Sequence, residues 1–378
     1  MGRDSKREAQ GWARKVHDLL ASADVRIGGD RPWDIHVHDD RLYRRVLMGG
    51  SLALGESYVD GWWECEALDE LFHRVLSAEL DAKVVALPSL LGYLRGKLFN
   101  LQKPSRAFTI GERHYDRGNQ LFSVMLDRRM VYSCAYWKDA LSLDEAQEAK
   151  LDLVCRKLEL QPGMRVLDIG CGWGSAVSYA AERYGVEAVG ITVSKEQASW
   201  ARETYKELPV DVRLQDYREV DERFDRILSI GMFEHVGHKN YRTYMRMVRR
   251  CLVDDGLFLL QTISRSGAAG SVDPWISCYI FPNSVLPSAR GVSAATEGLF
   301  VLEDWQNLGA DYDRTLMAWF YNFEDGWQAL RGDYGDRFYR MWKYYLLSCA
   351  GAFRARKINL WQIVLSPGGV PGGYRAVR

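Results

Sequence analysis

Three glycines alternate through a five-residue turn in the run Val166-Leu167-Asp168-Ile169-Gly170-Cys171-Gly172-Trp173-Gly174. A β-rich stretch leads in and a helical stretch leads out. Glycine permits the tight turn and lets a ligand approach backbone that carries no Cβ. The N–H groups at the start of the following helix suit a polar or anionic ligand. The spacing selects among ligands. Dinucleotide sites use G-x-G-x-x-G, whereas here the pattern is G-x-G-x-G, with Ser175 where the third glycine belongs. Asp168 at the strand end, with Gly170, Gly172 and Gly174, suits S-adenosylmethionine, the carboxylate orienting the loop and the cofactor's amino-acid end.

In a doubly wound sheet the ligand lies beyond the carboxyl ends of the strands, so the next two strand ends matter. The first offers Thr192, Ser194 and Gln197 toward the ribose, where many methyltransferases carry an acid. Ser194 with Gln197 three residues on reads equally well as a helix cap. The second offers Gln215, Asp216 and Tyr217. Asp216 can accept from an adenine amino group and Tyr217 can pack on the ring.

The elements that must hold these groups follow from periodicity. Residues 165–169, 187–191, 210–214, 224–230 and 256–262 are short β-rich runs, and 147–158, 175–184, 195–208 and 239–252 are helical in pattern. That alternation predicts an α/β fold with a doubly wound, Rossmann-like sheet. Residues 358–365 suit an antiparallel edge strand. Upstream, 9–24 reads as a helix, 25–37 as a weak strand or hairpin, and 39–80 as two or three helices broken at Gly49-Gly50 and Gly61. We therefore expect a smaller mixed α/β domain over 1–96, a basic linker over 97–111, and a catalytic domain over 112–378. From Ala82 to Gly111 there is no acidic residue, while lysines and arginines alternate with leucines and aromatics. That pattern fits either a helix lying on a membrane or a domain-packing helix with a basic edge.

Composition narrows the classes. The 50 basic and 50 acidic residues cancel, which with no RNA-binding motif argues against nucleic acid as partner. Seven cysteines without a CxxC pair argue against a disulfide framework and for a reducing, cytoplasmic setting. His36 and His38 lack further ligands at metal spacing, so no metal is expected. There is no apolar run long enough to span a bilayer.

Several further motifs, in order, carry a resemblance. They are His114-Tyr115-Asp116, Tyr132-Ser133-Cys134-Ala135-Tyr136-Trp137, the glycine turn, Gly231–Gly237, Asp273-Pro274-Trp275, Tyr279–Asn283, Gly309–Tyr312 and Cys349–Arg354. Together they resemble the cyclopropane-fatty-acyl-phospholipid synthases and, more distantly, the mycolic acid cyclopropane synthases. The resemblance covers nearly the full sequence. It implies an S-adenosylmethionine-dependent methyltransferase fold behind a smaller lipid-contacting N-terminal domain. It also implies a homodimer, and peripheral contact with the inner face of the membrane. The substrate implied is the cis double bond of an unsaturated phospholipid acyl group. The resemblance places Tyr132 and Ser133 on the cofactor. It also implies a bicarbonate ion as base, held by Cys134, Glu234, the backbone at Ile263, and Tyr312.

The family commonly has His where this protein has Gln261, and Gln can hydrogen-bond but cannot take up a proton. Cys349, a site candidate in the family, sits in an apolar helical run, and methyl transfer to an alkene needs no cysteine nucleophile. Taken singly, Cys134 reads as a buried small apolar residue and Tyr312 as a core tyrosine. Tyr136, Trp275, Tyr279, Phe281, Trp319 and Phe320 are candidates for an acyl tunnel, or for core. There are two competing readings. One is a C-methyltransferase of acyl chains that gives a branched or hydroxylated product. The other is a non-catalytic protein that binds S-adenosylmethionine and lipid.

Overall fold

The structure, a computed structural model, describes residues 3–84, 119–267 and 270–378. Two compact units emerge, each assembled from separated stretches of sequence. The larger is built on seven strands: β1 (Arg165–Ile169), β2 (Glu187–Thr192), β3 (Val210–Leu214), β4 (Phe224–Ile230), β5 (Leu252–Arg265), β6 (Val301–Asn307) and β7 (Ile358–Ser366). Their order across the sheet is β6-β7-β5-β4-β1-β2-β3. β1 pairs in parallel with β2 and β4, β2 with β3, and β4 with β5. The backbone runs outward from β1 to β3, then returns to place β4 on the other side of β1. That reversal opens a crevice at the carboxyl end of β1, directly over the glycine turn.

The reason for a sheet covered on both faces lies in the alternation within each strand. Leu167, Ile169, Val189, Ile191, Phe258, Leu260, Ile363 and Leu365 enter one apolar cluster. Their neighbours Val166, Ala188, Leu257, Leu259 and Val364 enter another. Four helices accompany the parallel strands: α1 (Leu143–Lys157), α2 (Ser175–Tyr184), α3 (Lys195–Thr204) and α4 (Tyr241–Cys251). α1 starts earlier than its apolar pattern suggests because Ser142 caps it, accepting from the Glu145 N–H.

Two strand expectations need correction. The late run forms β7 and pairs antiparallel with β6, but it is interior rather than an edge. The edge on that side is β6, Val-Leu-Glu-Asp-Trp-Gln-Asn, whose polar composition hides it from a hydrophobic pattern search. Having one neighbour only, it leaves Val301 and Leu302 exposed. The run at 256–262 is also longer than expected, reaching from Leu252 to Arg265.

The smaller unit contains the N-terminal helices Arg3–Ala21, Arg41–Val59, Leu68–Ser77 and Leu80–Lys83. Gly50 breaks the second of these, with φ 58° and ψ −143°. The 25–37 segment forms an Ile27–Ile35 bridge and the strand His36–Val37, which pairs with Trp63–Glu64. This unit also takes in Ser271–Pro282 and Leu316–Ile358, stretches that sequence pattern alone assigns to the catalytic domain. Its core is aromatic: Trp275 is wholly buried, 4.5 Å from Tyr344 and 5.3 Å from Tyr279, and Tyr344 also meets Tyr58 and Phe72. The long helix Gly309–Arg354 enters this unit and breaks at Gly335, φ 71°. The expected boundary at 97–111, the basic stretch from residue 85 on, and His114–Asp116 lie outside the described residues. Among the described residues, no helix is long and apolar enough to cross a membrane.

Candidate active site

β1 ends in the glycine turn, where Gly170, Gly172 and Gly174 take φ of 87°, 57° and 82°. Residues with a Cβ are strained in that region. At Gly170 a Cβ would also lie 2.8 Å from the Met232 side chain. The turn is tied to the neighbouring strand, since the N–H groups of Gly170 and Cys171 both donate to the Ile191 carbonyl at 3.0 Å. Beyond it lies a cavity of about 170 Å³. Tyr132, Ser133, Asp168, Gly170, Gly172, Thr192, Gln197, Gln215 and Tyr217 line it, with Lys150, Trp173, Met232 and His235.

Three residues expected alongside these face elsewhere. Gly174 serves as the cap of α2 and packs against Tyr205 and Ala201. Ser194 caps α3, accepting from the Gln197 N–H at 3.3 Å. Asp216 accepts from the Arg218 N–H at 3.0 Å and pairs with the Arg218 guanidinium at 2.8 Å. Its carboxylate is therefore engaged within its own turn. The Thr192 hydroxyl donates to Gln197 Oε1 at 2.9 Å, so these two polar groups present a preset arrangement to the cavity.

Asp168 is 2% exposed and its Oδ1 has no hydrogen-bond partner. Burial pushes its carboxyl up to about 7, against the pull of Lys150. The Tyr217 hydroxyl is likewise buried without a partner, and its ring carries the Arg218 guanidinium at 4.7 Å. Orphaned buried polar atoms around one cavity mark places for a polar ligand to complete. S-adenosylmethionine fits that description: an ammonium suits Asp168 and a planar base suits Tyr217.

The segment carrying Tyr132, Ser133 and Cys134 has no regular structure and is fixed by side chains. Gln147 of α1 donates to the Ser133 carbonyl at 2.8 Å. The Ala135 N–H and the Trp137 indole both donate to the Thr315 hydroxyl, and the Trp137 N–H donates to Asp311 at 2.8 Å. Cys134 is fully buried, its thiol directed at the carbonyls of Ala135 and Leu308. Burial holds that thiol well above its usual range, so it is a neutral donor at pH 7.

Glu234 sits in the short 3-10 turn Phe233–His235 that follows β4. The Ile263 N–H donates to its Oε1 at 2.5 Å, while Oε2 is buried without a partner. Burial raises its carboxyl to about 7, with the Ile263 N–H opposing. His235 beside it contacts Ser284 at 3.2 Å, and burial lowers its imidazole to about 4. Gln261 lies on β5, two residues before Ile263. Its Oε1 accepts from Gln362 at 2.9 Å and its Nε2 has no partner. Tyr312 is nearly buried, one residue after Asp311. Cys349, by contrast, belongs to the smaller unit, where burial raises its thiol to about 12 with Asp273 nearby.

Lys150 is a site residue that motif and spacing do not single out. Ala146, Gln147, Lys150, Leu151, Leu153, Val154, Cys155 and Lys157 are the buried residues of α1, and three of the eight are polar. A lysine on an apolar helical stripe is the signal that the sequence does carry.

The family model for mycolic acid cyclopropane synthetase matches residues 102–363. The protein is 52% identical over 368 residues to the cyclopropane-fatty-acyl-phospholipid synthase of Escherichia coli (strain K12), which spans 97% of this sequence and 96% of that one. Among solved structures, it is similar to the cyclopropane synthase MmaA2 from Mycobacterium tuberculosis. There the TM-score is 0.65 and the identity 33%, over 71% of this protein and 99% of the other. It is also similar to the mycolic acid cyclopropane synthase CmaA1 complexed with SAH and CTAB, with TM-score 0.64, 34% identity, and coverage of 68% and 97%.

Proposed function

The protein belongs to the mycolic acid cyclopropane synthetase family, and from that premise we propose its reaction: methylene transfer from S-adenosylmethionine to the cis double bond of an unsaturated phospholipid acyl group, closing a cyclopropane ring. The observation that carries this reading is the 52% identity with the E. coli synthase over almost the full length of both proteins. The cavity at the switch point of the sheet supports it, being lined by glycine turn, acid and aromatic in the positions such a cofactor needs.

S-adenosylmethionine supplies an electrophilic methyl group. The alkene's π electrons form the new carbon–carbon bond, and the carbon–sulfur pair leaves with sulfur. A cation remains on the lipid. The methyl carbon then loses a proton, and the electrons of that C–H bond close the ring. Asp168, Tyr132, Ser133, Thr192, Gln197, Gln215 and Tyr217 hold and orient the cofactor, with Gly170 and Gly172 giving it room. Gly174, Ser194 and Asp216 shape the turns that present those groups.

Proton removal falls to the group around Glu234. A carboxyl held near 7 is matched to taking a proton at neutral pH. Bicarbonate, when bound, supplies a base. Its hydroxyl suits the unpartnered Glu234 Oε2, and its oxygens suit the unpartnered Gln261 Nε2. The resemblance adds Cys134, Tyr312 and the backbone at Ile263, whose N–H acts through Glu234, its acceptor. The substrate's place in a bilayer makes peripheral membrane contact part of the reading, as is a homodimer on the cytoplasmic face.

Gln261 favours a second reading, in which methylation occurs without ring closure, because an amide cannot relay the proton. The test is incubation with unsaturated phospholipid vesicles and methyl-labelled S-adenosylmethionine, followed by mass and NMR analysis of the released fatty acids. Ring protons in a product one CH₂ heavier than substrate support cyclopropanation. A branched or hydroxylated product selects the second reading, and no labelled lipid overturns both.

A further inference from the structure

Lys150 is 1% exposed, lines the same cavity as Asp168, and donates to the Ser133 hydroxyl at 3.1 Å. An ammonium has three donors, so one neutral hydroxyl leaves much of its capacity unspent. Burying an ammonium is costly unless an anion accompanies it. The neighbouring Asp127 attracts it from a distance but turns its two oxygens to the N–H groups of Val131 and Arg129, each at 2.9 Å, and leaves the remaining ammonium donors unfilled. Asp168, of opposite charge, keeps a bare Oδ1. One small cavity thus presents an underused cation and an underused anion, together with a serine.

We propose that Lys150 receives the α-carboxylate of S-adenosylmethionine while Asp168 receives its α-ammonium, so that the pair reads the zwitterionic end of the cofactor. This deepens the function proposed above and rests on it for the identity of the cofactor. Lys150 then discriminates between ligands that carry the amino-acid end and those that lack it. Ser133 acts with it, its hydroxyl held in place by the ammonium and free to donate its own proton to the same carboxylate. The charged and titratable groups around Lys150 are Asp127, Asp168, Cys134 and Cys155. The two thiols are buried and neutral, so they offer no competing anion.

The experiment measures binding by calorimetry to the full-length protein and to Lys150→Met, with S-adenosylhomocysteine and methylthioadenosine as probes. Both probes carry adenosine and sulfur, and only the first carries the amino acid. Losing a charge-assisted hydrogen bond predicts about 10- to 100-fold weaker S-adenosylhomocysteine binding. Methylthioadenosine should stay within about twofold on the same argument. Equal weakening of both probes, or of neither, overturns the proposal. Lys150→Gln, which keeps a neutral donor, should fall between, and it replaces Lys150→Met as the test should that variant fail to fold. If the unaltered protein binds neither probe, the cofactor reading itself fails, a result distinct from failure of the lysine's role.

Discussion

At the scale of single residues, Glu234 is the group whose chemistry is most constrained. Its second oxygen is buried and bare, and its carboxyl titrates near 7. Replacing it with Gln should lower turnover by about 100-fold or more, the usual worth of a general base. Affinity for S-adenosylhomocysteine, read by calorimetry, should change little. The kcat/KM of the parent should fall as pH drops below about 7, because the protonated acid accepts nothing, and Glu234→Gln should lack that limb. The same shift has a stability sign. The folded-state value is raised, so the contribution is complete below the ordinary value of 4.5 and is lost as pH rises through about 7. Thermal unfolding at pH 5 and pH 8 should therefore show a smaller loss at the higher pH in Glu234→Gln than in the parent. Gln261→His adds a titratable group where Gln362 now fixes an amide. Ring formation with and without added bicarbonate should respond differently in that variant and the parent. Indifference of both to bicarbonate would remove the ion from the mechanism.

At the scale of elements, close approach decides which glycines matter. Gly351 lies in the long helix, and a Cβ there would stand 2.5 Å from the Asp69 carbonyl and 2.6 Å from the Phe72 side chain. Helix Leu68–Ser77 could not keep its seat against a larger residue. Gly351→Ala should cost about 1–3 kcal/mol in chemical denaturation, the usual range for overpacking. Gly170→Ala combines positive φ with the clash against Met232, so it should weaken cofactor binding as well as stability. Comparing cofactor affinity in the two variants separates them: only the change at Gly170 touches the cavity.

At the scale of the molecule, the sheet's polar edge is secured by Arg378. It makes two bonds to Asp304 of β6, each at 2.6 Å, and the same carboxylate faces the buried Lys157 ammonium at 3.5 Å. Lys157 also donates to Gln306 at 2.6 Å, and the Tyr374 hydroxyl donates to the Lys157 carbonyl. Removing the guanidinium leaves a buried cation and anion with fewer partners. Arg378→Ala should lower the melting temperature measurably at pH 7. The folded-state value of Asp304 is lowered, so its contribution is present above the ordinary 3.8 and is lost as pH falls below it. The deficit of the variant should therefore shrink in acid. A deficit that stays constant between neutral pH and strong acid would assign the effect to packing instead.

The sequence by itself determined the local devices. β-rich runs such as 165–169, alternating with helical runs, specified a doubly wound sheet, and three glycines at every second position specified a turn that a ligand can approach. These signals are legible because they depend on residues adjacent along the backbone. It could not reveal that Lys150 meets Ser133, that Gln362 holds Gln261, or that Asp216 turns back to Arg218. Nor could it show that two stretches beyond residue 270 join the N-terminal helices. Those facts depend on which distant segments share a core, and a buried polar atom acquires its partner, or its lack of one, only when the strands and helices around it have closed.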